Sequence, residues 1–142
     1  MKRIFLFLLV LVSPIVSWGQ TAYICIPSAS NGFTVRQGGS KWEITKFRID
    51  DVKKILKKNN GEWKWSRFGE STVFSDCSDG ISEEKKNDFN FAGYLFCDTL
   101  SGHVRINKKT LRYLETYEYG FVEGKDNNEN TPFIEIGTCS PL

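Results

Sequence analysis

Beyond its first twenty residues the chain is built from short runs of alternating or wholly apolar residues, interrupted again and again by clusters of Gly, Asn, Asp and Ser. Such punctuation sets up strands joined by turns and leaves little room for a long helix. The first strand runs from Tyr23 to Pro27, and Ser28-Ala29-Ser30-Asn31-Gly32 has the residue types that turn a chain, with Phe33 to Arg36 pairing back. Gln37-Gly38-Gly39-Ser40 then leads into a strand from Lys41 to Ile49. Val52, Ile55 and Leu56 fit a short helix face with Asp51 as N-cap, but Asn59-Asn60-Gly61 is a tight-turn signal and Trp63 and Trp65 alternate with Glu62, Lys64 and Ser66. The hairpin of Lys53 to Lys58 with Glu62 to Phe68 is therefore preferred.

Further on, Ser71 to Cys77 reads as a strand, Ser78 to Asp88 as a polar loop and Phe89 to Asp98 as a buried strand. A loop at 107–110 joins His103 to Asn107 with Leu111 to Val122. It pairs Ile106 with Leu111, Arg105 with Arg112 and Val104 with Tyr113, so that Val104, Ile106, Leu111, Tyr113, Glu115, Tyr117 and Tyr119 share one face. After the polar loop from Gly124 to Thr131, Pro132 to Cys139 closes the series. About eight short strands predict an all-β domain, a single small antiparallel barrel or sandwich, and the aromatic content suits half-buried sheet surfaces.

The start of the chain has a different character. Met1-Lys2-Arg3, the apolar run Ile4 to Val12, a polar tail from Ser13-Pro14 and small residues at Ser17 and Gly19 make an export signal at 1–19, leaving a single domain at 20–142. The apolar run is too short for a bilayer, which needs about twenty residues. The bulky Ile24 before Cys25 does not fit a lipid-attachment signal. The expected location is periplasmic or secreted, with no membrane anchor after cleavage. In that setting Cys25, Cys77, Cys97 and Cys139 imply two disulfides. Three pairings are possible, of which Cys77 with Cys97 and Cys25 with Cys139 are favoured.

Both charges of the signal are basic, so the whole-chain excess of +2 disappears on cleavage and 17 basic and 17 acidic residues remain. A neutral product lacks the surplus that holds a polyanion, which argues against nucleic acid as a partner. The lysine run Lys53-Lys54 and Lys57-Lys58 reads as a solvated strand face. Catalytic signals are thin. His103, the one histidine, lies on the polar face near a turn, and no G-x-S-x-G occurs. Asp76, Asp79, Glu83 and Glu84 around Cys77 read as a solvated loop. Asp126, Asn128 and Asn130 open like a calcium loop, but Thr131 replaces the required glycine and Gly137 the bidentate glutamate. No cofactor, metal or catalytic residue is assigned. In the closing strand, period-two alternation predicts Ile134 and Ile136 inward and Glu135 outward. Tyr113, Tyr117 and Tyr119 suit core packing or a ligand pocket, and Glu115 on their face needs a partner or a rim position.

The Tyr23-Ile24-Cys25-Ile26-Pro27 strand, the hairpin from Arg105 to Tyr113 and the ending Ile134 to Leu142, together with the signal, resemble small exported bacterial proteins of uncharacterised function. Ser28-Ala29-Ser30-Asn31-Gly32 is also similar to the Ser-Ala-Ser-Gly-like loop of periplasmic lysozyme inhibitors of the small β-barrel kind, with Asn31 inserted and the motif beside the first strand rather than in the latter half. That resemblance implies Ser28 and Ser30 as an interaction loop. The expectation is a non-enzymatic, disulfide-stabilised binding module that acts on a protein or small ligand of the cell envelope, inhibition of a cell-wall hydrolase being one concrete form. The alternatives are a small envelope hydrolase using His103 or the carboxylates near Cys77, and a structural component of an envelope or phage-related assembly.

Overall fold

A computed structural model describes residues 21–36, 41–70, 75–99 and 101–142. The export signal at 1–19, the turn at 37–40 and the first residues of the strand expected from Ser71 lie outside the described residues. Among the described residues there are nine strands: β1 (Ala22–Val35), β2 (Trp42–Lys46), β3 (Lys54–Asn59), β4 (Glu62–Arg67), β5 (Ser75–Ser78), β6 (Tyr94–Asp98), β7 (Gly102–Asn107), β8 (Arg112–Tyr117) and β9 (Phe133–Pro141). Every pairing is antiparallel. From β3 to β9 each strand pairs with the next, and β1 pairs with both β3 and β9, which closes an eight-stranded barrel. β2 is the extra strand, attached to β1 along Asn31–Val35. Closure satisfies the edges that a sheet of short strands otherwise exposes.

The expected turn at Ser28–Gly32 is corrected by the structure, since β1 runs straight through it. The residue types that reverse a chain here bend it instead. The pairing of β1 with β9 shifts register between Pro27 and Ala29, a bulge that redirects the strand so that its first part pairs with β3 and its last with β2. The Asn59-Asn60-Gly61 signal is a true hairpin turn between β3 and β4. Asn60 and Gly61 take φ of 52° and 87°, the left-handed pair that matches the twist of the flanking strands. Of residues 52–58, those from Lys54 onward accordingly lie in a strand, and none is helical.

In the β7–β8 hairpin Asn107 pairs with Arg112 and Ile106 with Tyr113, so each β7 residue meets a partner two positions beyond the expected one. Leu111 leaves the ladder at φ 56° and joins the turn. Because the slip is even, the facing survives: Val104, Ile106 and Tyr113 are all buried inside. Several expected strands are also trimmed. Tyr94 begins β6 because Asn90 turns the chain by accepting hydrogen bonds from the Ala92 and Tyr94 amides.

The interior is filled by Trp65, Leu56, Leu95 and Val104 and by two disulfides, Cys25–Cys139 between β1 and β9 and Cys77–Cys97 between β5 and β6. These are the two favoured pairings. At the end of the barrel formed by the β3–β4 turn and the loop from Asp79 to Gly93, Trp63 packs against Tyr23 and Phe89 with ring centroids 5.8 and 5.5 Å away. Asn87 holds that loop down, its amide donating to the Cys77 and Trp63 carbonyls and its Oδ1 accepting from the Trp63 backbone amide. One end of the barrel is thus plugged by aromatic rings.

Candidate functional site

The opposite end is not plugged. Here β3 begins, β4 and β8 end, the β6–β7 connection turns, and the segment from Glu118 to Pro132 returns the chain to β9. Within this end lies a cavity of about 530 Å³, bounded by Trp65, Tyr117 and Phe133, by Thr99, Ser101, Asn130 and Thr131, and by the charged side chains of Lys54, Arg67, Glu115 and Glu129. Eight strands enclose just enough space for side chains or for one small ligand.

The charges come from interior strand positions. Glu115 on β8 and Glu135 on β9 are direct cross-strand partners. Both point into the barrel, a like-charge juxtaposition that is unfavourable by itself. Lys54 on β3 offsets it. Its Nζ donates to Glu115 Oε2 at 2.6 Å and lies 3.8 Å from Glu135 Oε1, while the Tyr113 hydroxyl donates to the same Glu135 oxygen at 2.8 Å. The Lys54 and Glu135 side chains are each only 6% exposed and that of Glu115 is 16% exposed, so of this cross-strand pair it is Glu115 that lines the cavity. Burial raises the Glu135 carboxyl above its ordinary range. The charge of Lys54 and the Tyr113 hydrogen bond pull it down without cancelling the rise, and the charge of Glu115 adds to it. Burial, followed by the charge of Glu135, keeps the Tyr113 hydroxyl protonated far into the alkaline range.

Two expectations are corrected at this point. Glu135 faces in, while Ile134 and Ile136 are about half exposed on the outer surface. Lys54, expected on a solvated face, is 4% exposed. A sequence signal for Glu135 existed: Cys139 must face inward to reach Cys25, and positions 137 and 135 share its phase. Gly137 completes the arrangement, since a Cβ there would lie 2.4 Å from both the Tyr113 ring and the Ile26 carbonyl oxygen. Its missing side chain lets the Tyr113 ring cross β9 toward Glu135. Glu115 lies on the Tyr113 face as expected, and Lys54 is its partner.

One further group belongs to this interior. Ser75 is 5% exposed, pairs in register with Trp65, and its hydroxyl makes no hydrogen bond. Across the wall formed by the stacked rings of Tyr117 and Phe133, 5.7 Å apart, an apolar groove of about 560 Å³ runs between Phe33, Trp42, Phe121, Val122 and Ile134 on the outside of the barrel. Tyr117 is fixed by its hydrogen bond to Asn130 Oδ1 at 2.8 Å.

No family model, no curated protein and no solved structure matches this chain.

The remaining candidates lie elsewhere. Ser28 and Ser30 do not form a loop: Ser30 is 4% exposed inside β1, paired with Glu135, so its hydroxyl is not presented to a partner. His103 is half exposed, with Nδ1 2.9 Å from Asp98 and Nε2 3.8 Å from Glu118, and lines neither cavity. Asp76 pairs with Lys64. Asp79 is buried and accepts from the Ile81 and Ser82 amides and the Ser82 hydroxyl, a loop-forming role. Burial would raise its carboxyl, but those hydrogen bonds prevail and hold it below the ordinary range. Glu83 and Glu84 are exposed. Asp126 accepts from the Trp42 indole, and Asn128 exchanges two hydrogen bonds with the Val35 backbone, so the segment resembling a calcium loop latches β1 and β2. Among the described residues no three His, Cys, Asp or Glu side chains are grouped to hold a metal.

The two disulfides point to an oxidising, extracytoplasmic setting, and no helix among the described residues is long and apolar enough to cross a membrane.

Proposed function

We propose that the chain is an exported, non-enzymatic binding module that takes its ligand at the open end of the barrel. One observation carries this reading: a buried ionic cluster of Lys54, Glu115 and Glu135 opens into a cavity of about 530 Å³ with aromatic walls. Concave sites of this size, with apolar sides and a few fixed polar groups, are the usual form of small-ligand sites. The disulfides and the aromatic plug keep the frame rigid, so the cavity need not be assembled on binding. Export to the periplasm or medium, directed by residues 1–19, fits the oxidised cysteines.

Inhibition of a cell-wall hydrolase is a special form of the same reading. The enzyme would then meet the rim at Arg67, Glu129 and Asn130 rather than Ser28 and Ser30. The experiment is a titration of oxidised, isotope-labelled protein spanning residues 20–142 with fractionated envelope extract, followed by NMR. Shifts confined to Trp65, Thr99, Glu115, Tyr117 and Phe133 are expected. Shifts confined to the plugged end at Trp63 and Phe89, or turnover of an extract component abolished by His103→Ala, would overturn the proposal. Loss of lytic activity in a hydrolase assay on adding the protein, restored by Glu129→Arg, would select the inhibitor form.

A further inference from the structure

The charges around the open end are not balanced. Within and beneath the cavity stand two cations, Lys54 and Arg67, against three carboxylates, Glu115, Glu129 and Glu135. Lys54 is shared between two of the carboxylates, and Arg67 makes an ion pair with Glu70 at 3.7 Å, so each cation already answers an acid. Beyond the wall, Glu118 lines the neighbouring groove. An incoming anion would have to approach this excess, whereas a cation relieves it.

The walls favour the same sign. Tyr117 and Phe133 line the cavity with aromatic rings and the buried Trp65 borders it, and aromatic rings attract ammonium and guanidinium groups. The chain already uses this attraction at its other end, where the Lys58 and Lys108 ammonium groups stand 5.2 and 5.4 Å from the Trp63 and Phe89 ring centres. Glu115, more exposed than Glu135, supplies the reachable counter-charge.

We infer that the open end of the barrel selects a small organic cation, an ammonium or guanidinium joined to an apolar or aromatic body, with Glu115 as its counter-ion and Trp65, Tyr117 and Phe133 as its walls. This rests on the reading of the open end as the binding site. A charge-assisted contact to Glu115 adds to the ring attraction, and together they are expected to separate the cation from a neutral compound of the same shape by about tenfold or more in Kd.

The test compares benzylamine, benzyl alcohol and benzoate, three probes of one shape and different charge, by NMR titration of the oxidised protein. Benzylamine should shift Trp65, Glu115, Tyr117 and Phe133, bind about tenfold more tightly than the alcohol, and weaken as salt is raised. Glu115→Gln should remove that preference. Should that variant fail to fold, Glu129→Gln on the exposed rim should reduce it several-fold in a protein with an unchanged spectrum. Benzoate or benzyl alcohol binding there as tightly as benzylamine would overturn the cation inference and leave the open end as the site. Failure of all three probes to shift these residues, while an envelope fraction does, would overturn the cation inference alone. Failure of both would overturn the two readings together.

Discussion

Replacing Lys54 by Met tests the energetic core of the site, because it keeps the length of an unbranched stem and removes the one charge shared by Glu115 and Glu135. The Lys54 and Glu135 side chains are 6% exposed and Glu115 16%, so neither carboxylate regains its hydration when the ammonium is lost. The relevant scale is then that of a broken buried pair, about 3–5 kcal/mol, and not the ~0–1 kcal/mol of a surface one. A loss of about 4 kcal/mol near neutral pH is expected, a large part of the ~5–15 kcal/mol that holds an ordinary domain together. The loss also depends on pH in a definite sense. The folded-state Glu135 carboxyl is raised above its ordinary value of 4.5, chiefly by burial. Its contribution to stability is therefore complete below that value and is lost as pH rises through the folded one. Without Lys54 the carboxyl moves higher still, and each unit of movement is worth about 1.4 kcal/mol at neutral pH. The deficit of Lys54→Met should thus be largest near neutrality and shrink on acidification. Denaturant unfolding followed by the fluorescence of Trp63 and Trp65, with the disulfides intact, reads both quantities. A deficit under about 1 kcal/mol near neutral pH, or one that stays the same on acidification, would refute the reasoning. Adding Glu115→Leu and Glu135→Leu should restore most of the stability, since a fully apolar replacement leaves no charge unpaired.

Gly137→Ala should force the Tyr113 ring off β9 and cost roughly 1–3 kcal/mol by overpacking, with the Tyr113 hydroxyl losing its Glu135 partner and ionising at lower pH in a spectrophotometric titration. Gly61→Ala should cost about 1 kcal/mol in thermal or denaturant unfolding through backbone strain alone, because its φ is 87° and nothing lies within 4 Å of the added methyl. Replacing Cys25 and Cys139 by Ser should cost more than the same change at Cys77 and Cys97. The loops span 114 and 20 residues, which on the loop-entropy model are worth about 4.7 and 3 kcal/mol, and unfolding of the two double variants side by side checks the order. His103→Ala should change stability by less than about 1 kcal/mol, as expected for a surface pair with Asp98.

The architecture was legible because its signals are local. Asn60-Gly61 selects a hairpin turn by its own backbone preferences, and the alternation around Trp63 and Trp65 declares a strand without reference to distant residues. The inward phase of Glu115 followed from Tyr113 on the same strand. The rest was obscured because it depends on long-range pairing. Glu135 between two isoleucines looks like a surface residue until Cys139 is known to sit inside. Lys54 within a lysine run looks solvated until its partners, 61 and 81 positions away, are brought across the barrel. Ser28–Gly32 has the composition of a turn, but a bulge uses the same residue types. Only the pairing of β1 with β9 on one side and with β3 and β2 on the other decides between bending and reversing.

The seam between β1 and β9 also orders events in time. The barrel shuts only when residues 133–141 return to residues 23–32, so its closing contacts are among the most sequence-distant of the described residues. Long-range pairing of this kind is slow to form, and it requires the final segment to be present. The Cys25–Cys139 bond joins the same two strands, so it locks this late seam in a setting where oxidation is possible. The last strand is thus the latch of the barrel, and the eight-stranded wall is complete only once it has paired.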